Sequence, residues 1–385
     1  MPAPGFVLAP LLLLGIQAAA PGPAYALSTP AETTREETLA PGLTHVEIVR
    51  AIPTASGAQE RWVIHVLQLD ALRAQLRVAP ALDAIVGTET TSSLAERHGA
   101  LAAVNGGYFR MAGLYRGEPA GALVLEGRLL SETDRHRPAV AVSGASPRTR
   151  VAFTRLLFDA AVVADKAVRL RVSGFNRARG TDEIVVYTPE FHRTTLTGRG
   201  GFEATVSRGK VVAAREGTGS SPIPADGFVV SASGRAMAEA ARVLRRGARA
   251  RLEAPLRTEP PLPFHPETLL GGGPWLLHGG APASPLEGEP YAEDFLERRH
   301  PRTAIGVHAD GSILLVTVDG RQPGWSDGMT IGELTALMSG LGCGEALNLD
   351  GGGSTAMVVR GQVVNRPSDA TGERPVSDAI LVFAR

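Results

Sequence analysis

The sequence predicts a β-rich α+β protein whose mixed sheets and few packed helices form a single large domain. Many short runs of β-branched and aromatic residues are separated by Gly, Pro and Asp turns, and only three segments carry clear helix signals. No Pro/Ser linker or shift in composition divides the chain. At 385 residues and 44% hydrophobic, the chain can bury a sizeable core. Gly (45) and Pro (28) lack a collagen-like period, so their abundance signals turns rather than a fibre.

The elements read in order from the N-terminus. An apolar run over 6–16 ends in small residues and Ala24-Tyr25-Ala26, the pattern of a signal peptide cleaved after Ala26. It is shorter than the ~20 residues of a spanning helix, so the mature protein is expected to be secreted or periplasmic, without stable membrane insertion. Polar, Pro-flanked residues 27–43 are expected to be a flexible leader, and 44–385 the folded domain. Strands are expected at His45–Arg50, Trp62–Leu69, Glu183–Tyr187, Phe202–Ser207, Phe228–Ala232, Ile313–Val318 and Ile380–Phe383. Hairpin turns are expected at 309–311 and 360–361. One helix, Ser93–His98, would open with Ser93 and Glu96 as a capping box; another, Arg235–Arg246, would stop at Gly247. The third is the best defined. Thr330 and Glu333 cap Thr330–Leu341, Ile331, Leu334, Leu337, Met338 and Leu341 share one face, and Gly342 follows as the stop.

Charge and cysteine content narrow the function. Lys+Arg and Asp+Glu balance at 39 each, without the cationic excess of a nucleic-acid binder. Lys166 and Lys210 are the only lysines, so the other cations are arginines. A single cysteine, Cys343, allows no intrachain disulfide. No zinc, EF-hand or phosphate-loop pattern is present, and no dedicated metal site or cofactor is expected. The histidines read as core or surface residues. Gly324-Trp325-Ser326-Asp327-Gly328 matches a serine-hydrolase elbow in letters only. Extra residues separate it from the flanking strand and helix, and every histidine lies at or before His308, whereas the elbow needs one later in the chain.

Two apolar runs end alike, Leu101–Val104 in Asn105-Gly106-Gly107 and Ala346–Leu349 in Asp350-Gly351-Gly352-Gly353, bringing a polar residue and bare backbone out of a core together. Between 300 and 378 lies a dense polar set: Pro301-Arg302-Thr303, Asp319-Gly320-Arg321, Asn348 to Ser354, Asn365-Arg366-Pro367, and Glu373-Arg374-Pro375. Guanidinium forks bind phosphate oxygens bidentately, and carboxylates attack or move protons, so the set suits acid–base chemistry on an anionic substrate. The competing reading makes Arg302–Asp319 or Arg374–Asp350 structural ion pairs.

These residues resemble the phosphodiester glycosidase family. The likeness runs through Ala103-Val104-Asn105-Gly106-Gly107-Tyr108-Phe109, Tyr187-Thr188-Pro189, Gly271-Gly272-Gly273-Pro274, Arg302-Thr303-Ala304-Ile305-Gly306 and Val318-Asp319-Gly320-Arg321. It continues through Leu349-Asp350-Gly351-Gly352-Gly353-Ser354 and Glu373-Arg374-Pro375-Val376, covering about residues 75–385. The resemblance implies hydrolysis of a sugar-1-phosphodiester on its glycosidic side, releasing free sugar and a phosphomonoester. Asp350 would act as nucleophile or base, with Glu373 the second carboxylate and Asp319 the third. Arg302, Arg321 and Arg374 would clamp phosphate, while Asn105, Gly352, Gly353 and Ser354 would hold sugar hydroxyls or phosphate oxygens. The expected partner is a sugar-phosphate small molecule or an anionic glycan. Two alternatives remain: a non-catalytic envelope module that binds anionic glycans, and a phosphodiesterase cutting the P–O bond with calcium or magnesium held by Asp319 and Asp350.

Overall fold

A computed structural model describes residues 31–53, 59–132, 137–144, 147–283 and 291–385. The signal-peptide segment 1–26 lies outside the described residues.

The expected α+β, β-rich architecture is what the chain forms. Its largest sheet has eight antiparallel strands, in the order Ala31–Ala40, Leu43–Pro53, Gln59–Leu69, Ile313–Val318, Arg302–His308, Cys343–Asn348, Trp275–His278 and Ala281–Pro282. One face packs against a five-stranded sheet that includes Ala102–Asn105, Met357–Val359 and Asp378–Ala384, and against a six-stranded sheet that includes Pro138–Ser143 and Thr268–Gly271. Leu67, Ile305, Leu315 and Leu347 meet Val104, Val140, Leu270 and Ile380 in that shared core. Period-2 alternation sends the even-numbered neighbours Ile64, Val66, Leu314 and Val316 to the opposite face, where a helix covers them. Residues around 160–254 add a smaller five-stranded sheet and a three-stranded one, packed around Phe175, Val186, Phe202 and Val230.

The helices show how local chemistry sets boundaries. Helix α1 (Thr91–His98) is capped by Thr90, whose side chain accepts from the Ser93 backbone N–H, so the cap lies three residues earlier than the expected Ser93. Helix α2 (Ala236–Val243) is shorter than expected and ends before Gly247. Helix α3 (Glu293–Glu297) is a single short turn leading into the site described below. Helix α4 (Ile331–Gly340) has the full Thr330–Glu333 capping box, and Leu334, Leu337 and Met338 bury its inner face.

The expected leader needs correction. Its described part is the edge strand Ala31–Ala40, paired with Leu43–Pro53 from Ala31 opposite Ala51 to Ala40 opposite Leu43. Eight of its ten residues are exposed, so both strand faces meet water and no apolar alternation marks it. By contrast, Ile313–Val318 matches its expected bounds, and the turns at 309–311 and 360–361 do join hairpins.

Candidate functional site

Three strand ends converge on Asp350. Cys343–Asn348 runs out of the core into Leu349-Asp350 and the glycines; Arg302–His308 lies beside it; and Ala102–Asn105 reaches the same point from the five-stranded sheet. Backbone bonds fix the loop from both sides: Leu349 N–H donates to Thr303 (2.8 Å), Asp350 N–H to Gly106 (3.1 Å) and Gly352 N–H to Pro301 (2.9 Å). Fully buried Asn105 adds the side-chain stitch. It donates to the Asp350 carbonyl at 2.7 Å and accepts from the Thr303 hydroxyl (2.7 Å) and the Ala356 N–H (3.1 Å). Asn105 therefore positions the loop from within the core and does not line the cavity, unlike the ligand contact expected of it. Glycine is required by contact as well as by turn geometry. A Cβ on Gly351 would sit 2.7 Å from the Pro301 carbonyl, and one on Gly353 would run into the Arg374 guanidinium and Asp369.

The loop opens onto a cavity of about 450 Å³. Asp350, Gly352, Gly353, Arg302, Arg321 and Arg374 line it, so six of the expected site residues meet there. Tyr108, Asp294, Phe295, Arg298 and His300 line it too. Four arginines face two aspartates, an excess of positive charge suited to an anion.

Each arginine is held differently. Buried Arg302 donates Nε to the Met329 carbonyl (2.8 Å) and Nη2 to the carbonyls of Phe295 (2.8 Å) and Arg298 (3.0 Å), with its guanidinium 4.9 Å from the centre of the Phe295 ring. No carboxylate among the described residues pairs with it, and burial pushes its pKa down to about 10. It is still charged at neutral pH. Arg321, in left-handed backbone at φ 60°, donates to His300 Nδ1 from Nε (3.2 Å) and Nη2 (3.1 Å). Burial, with Arg321 next, holds the His300 imidazole below its ordinary pKa, so the ring is neutral and accepts at Nδ1. Arg374 is clasped by Asp369 through Nε (2.7 Å) and Nη2 (3.0 Å), and Nη1 lies 3.7 Å from Met111 Sδ. Neither Arg302–Asp319 nor Arg374–Asp350 is the structural pair that the sequence left open.

Burial pushes the Asp350 carboxyl up to about 6, against the opposing pull of the Gly351 N–H at 3.0 Å and the charge of Arg374. Buried Ser354 lies beneath the loop, outside the cavity lining. Its hydroxyl is near enough to favour the Asp350 carboxylate, yet it closes no hydrogen bond. Tyr108 puts its ring in the cavity wall while its hydroxyl is locked, donating to the Gly273 carbonyl (2.6 Å) and accepting from Asn348 Nδ2 (2.8 Å). Burial raises its pKa well above the ordinary value.

The two other expected carboxylates are elsewhere. Glu373 binds the first turn of α1, accepting from the Ser92 N–H (2.8 Å) and hydroxyl (2.5 Å), and does not line the cavity. Asp319 is fully buried. Its oxygens accept from Trp325 Nε1 (2.8 Å), Asn365 Nδ2 (3.1 Å) and the Arg366 N–H (3.0 Å), which ties two loops together. With both oxygens taken by N–H donors, Asp319 is not poised to share a cation with Asp350. Ser326 is equally structural, accepting from the Val63 N–H (3.1 Å) and donating to the Asp319 carbonyl (2.7 Å). Of the residues missed, Tyr108 stood inside a quoted motif and His300 directly precedes Pro301-Arg302; Asp294 and Arg298 carry no pattern of their own. Glu373→Ala should cost ~1–2 kcal/mol of stability through the lost helix-end bonds while leaving turnover within a few-fold. Denaturant melts and steady-state kinetics on the same preparation check this; a collapse of turnover in a well-folded variant would restore Glu373 to the reaction.

The phosphodiester glycosidase family model matches residues 200–383. A "putative exported protein" of Burkholderia pseudomallei K96243 superposes with a TM-score of 0.80 at 25% identity, covering 96% of this chain and 100% of that one. A hypothetical protein from Synechocystis shares the fold at TM-score 0.78 and 24% identity, over 92% of this chain and 64% of that one. The SPbeta prophage-derived uncharacterized protein YomE of Bacillus subtilis (strain 168) is 37% identical over 110 residues, 29% of this chain and only 16% of that protein's length. Residues 200–383, which hold Asp350 and the three expected arginines, are thus matched by the phosphodiester glycosidase family, as the motifs of the sequence implied.

Proposed function

We propose that the protein is an exported hydrolase that cleaves a sugar-1-phosphodiester between the anomeric carbon and the bridging oxygen. One observation carries the reading: a half-buried carboxylate, Asp350, shares a cavity with an excess of arginines, of which Arg302 and Arg321 have no carboxylate partner among the described residues. A phosphodiester would supply the missing negative charge. Export is supported by the signal-like N-terminus and by the likeness to the "putative exported protein" of Burkholderia pseudomallei. Among the described residues, no helix is long and apolar enough to cross a membrane.

The chemistry follows from charge. As the C–O bond breaks, its electron pair stays with the phosphate oxygen, and Arg302 and Arg321 meet the growing charge. The sugar carbon gains oxocarbenium character, which Asp350 stabilises by attacking it or by taking a proton from the incoming water. Water oxygen ends on the sugar. Phosphate leaves without needing a strong general acid, consistent with a neutral His300 whose Nδ1 lone pair is engaged by Arg321.

Asp350→Asn should lower kcat by at least ~10³-fold while leaving diester binding nearly unchanged. Kinetics beside calorimetry test it, since a pure binding module would lose neither. The reacting form is the carboxylate, so kcat/KM should rise as pH passes through about 6. Stability should move the other way. The folded pKa lies above the ordinary 3.8, so ionising Asp350 costs stability as pH rises between about 4 and 6. Asp350→Asn should therefore melt above wild type at pH 8, with the gap closing by pH ~4. Hydrolysis in oxygen-18 water should place the label in the sugar; label in the phosphate would replace this reading with P–O cleavage.

A further inference from the structure

Arg321 is exposed, and an exposed arginine left to itself samples many rotamers. Here its guanidinium is held on two sides. Nε (3.2 Å) and Nη2 (3.1 Å) donate to His300 Nδ1. The terminal nitrogens lie over Gly352, where a Cβ would come within 3.1 Å of Nη2 and 3.2 Å of Nη1. The group is thus spanned between an imidazole and the bare backbone two residues beyond Asp350.

His300 is itself firmly placed. Its N–H donates to the Met329 carbonyl (3.2 Å), and its carbonyl accepts from the Met329 N–H (2.9 Å). A Cβ on Gly328 would stand 2.6 Å from the His300 carbonyl carbon, so only glycine lets the two segments close to this distance. The same Met329 carbonyl accepts from Arg302 Nε at 2.8 Å. One backbone bridge therefore sets both of the arginines that lack a carboxylate partner among the described residues.

The charge of the acceptor decides what this arrangement does. A carboxylate in the place of His300 would hold Arg321 and cancel its charge. A neutral imidazole accepts the same N–H groups and cancels nothing. Burial, then the positive charges of Arg321, Arg302 and Arg298, hold the ring below its ordinary pKa, and the Asp294 backbone bonds the ring as well. With Nδ1 accepting from Arg321, the single proton of the neutral ring belongs on Nε2.

We infer that His300 is a positioning residue, which aims the Arg321 guanidinium at the phosphate of a bound substrate while leaving its charge unspent. The inference rests on reading the cavity as a phosphate site and deepens it, giving the imidazole an orienting part rather than an acid–base one. Ordering the arginine before the ligand arrives lowers the entropy lost on binding.

The test is calorimetric titration of the full protein with inorganic phosphate at pH 8, on wild type and three variants. His300→Asn returns an uncharged acceptor near the place of Nδ1. His300→Phe keeps a ring and loses the acceptor. His300→Asp keeps an acceptor and adds a negative charge. His300→Asn should bind phosphate within ~3-fold of wild type, and His300→Phe ~10-fold more weakly, the effect of about one hydrogen bond. His300→Asp should bind no more tightly than His300→Phe, because its carboxylate neutralises the arginine it orients. Phosphate binding is read without turnover, so it stands apart from any loss of hydrolysis. Binding in the wild type with equal losses in His300→Asn and His300→Phe would overturn the positioning role alone, as would His300→Asp binding as tightly as wild type. A wild type that binds no phosphate would sink the reading of the cavity, and this role with it. Thermal melts show which variants fold; should His300→Phe fail, His300→Asn against His300→Asp decides.

Discussion

The Asn105 amide is the constraint on which the site depends. It has no exposed surface, and its three hydrogen bonds reach the carbonyl of Asp350, the hydroxyl of Thr303 and the backbone of Ala356. Those groups belong to separate stretches of chain, so one side chain fixes the end of the five-stranded sheet against the end of the eight-stranded one. A buried amide of this kind is satisfied only when every partner is in place, because a missing bond leaves a desolvated polar atom. The position of Asp350 is thereby coupled to the correct docking of two sheets. That is how distant strands deliver one carboxylate to one place.

From that anchor the electrostatics follow. A carboxylate brought to a strand end inside the fold resists ionisation, and the nearby positive charge offsets only part of that cost, so Asp350 stands near 6 rather than near 4. The arginines show the complementary behaviour. Arg302 is spent largely on backbone carbonyls, which orient it without neutralising it, and Arg321 is braced by an imidazole rather than a carboxylate. Arg374 does have a carboxylate partner, Asp369, and so contributes less unmatched charge. The cavity is thus built to be short of negative charge while already holding one reluctant anion. Stability is set aside locally, as sites that bind and transform charged groups generally require.

Much of this was legible in the sequence, for identifiable reasons. Ile313–Val318 and the Thr330–Glu333 capping box read correctly because alternation and capping are local rules that tertiary packing here reinforces. Asp350, Arg302, Arg321 and Arg374 come together at one cavity because glycines and turn residues place them at strand ends. Asp319, Glu373 and Asn105 lie outside the cavity lining, in bonds that the local sequence does not reveal. Asp319-Gly320 and Asn105-Gly106 look the same whether the side chain turns outward to a ligand or inward to Trp325 or Thr303, and the partner that takes Glu373, Ser92, is 281 residues away. The run Thr90-Thr91-Ser92-Ser93 offered several possible caps, and only the packed helix chooses Thr90. The edge strand Ala31–Ala40 was missed since a ribbon wet on both faces has no apolar period to read.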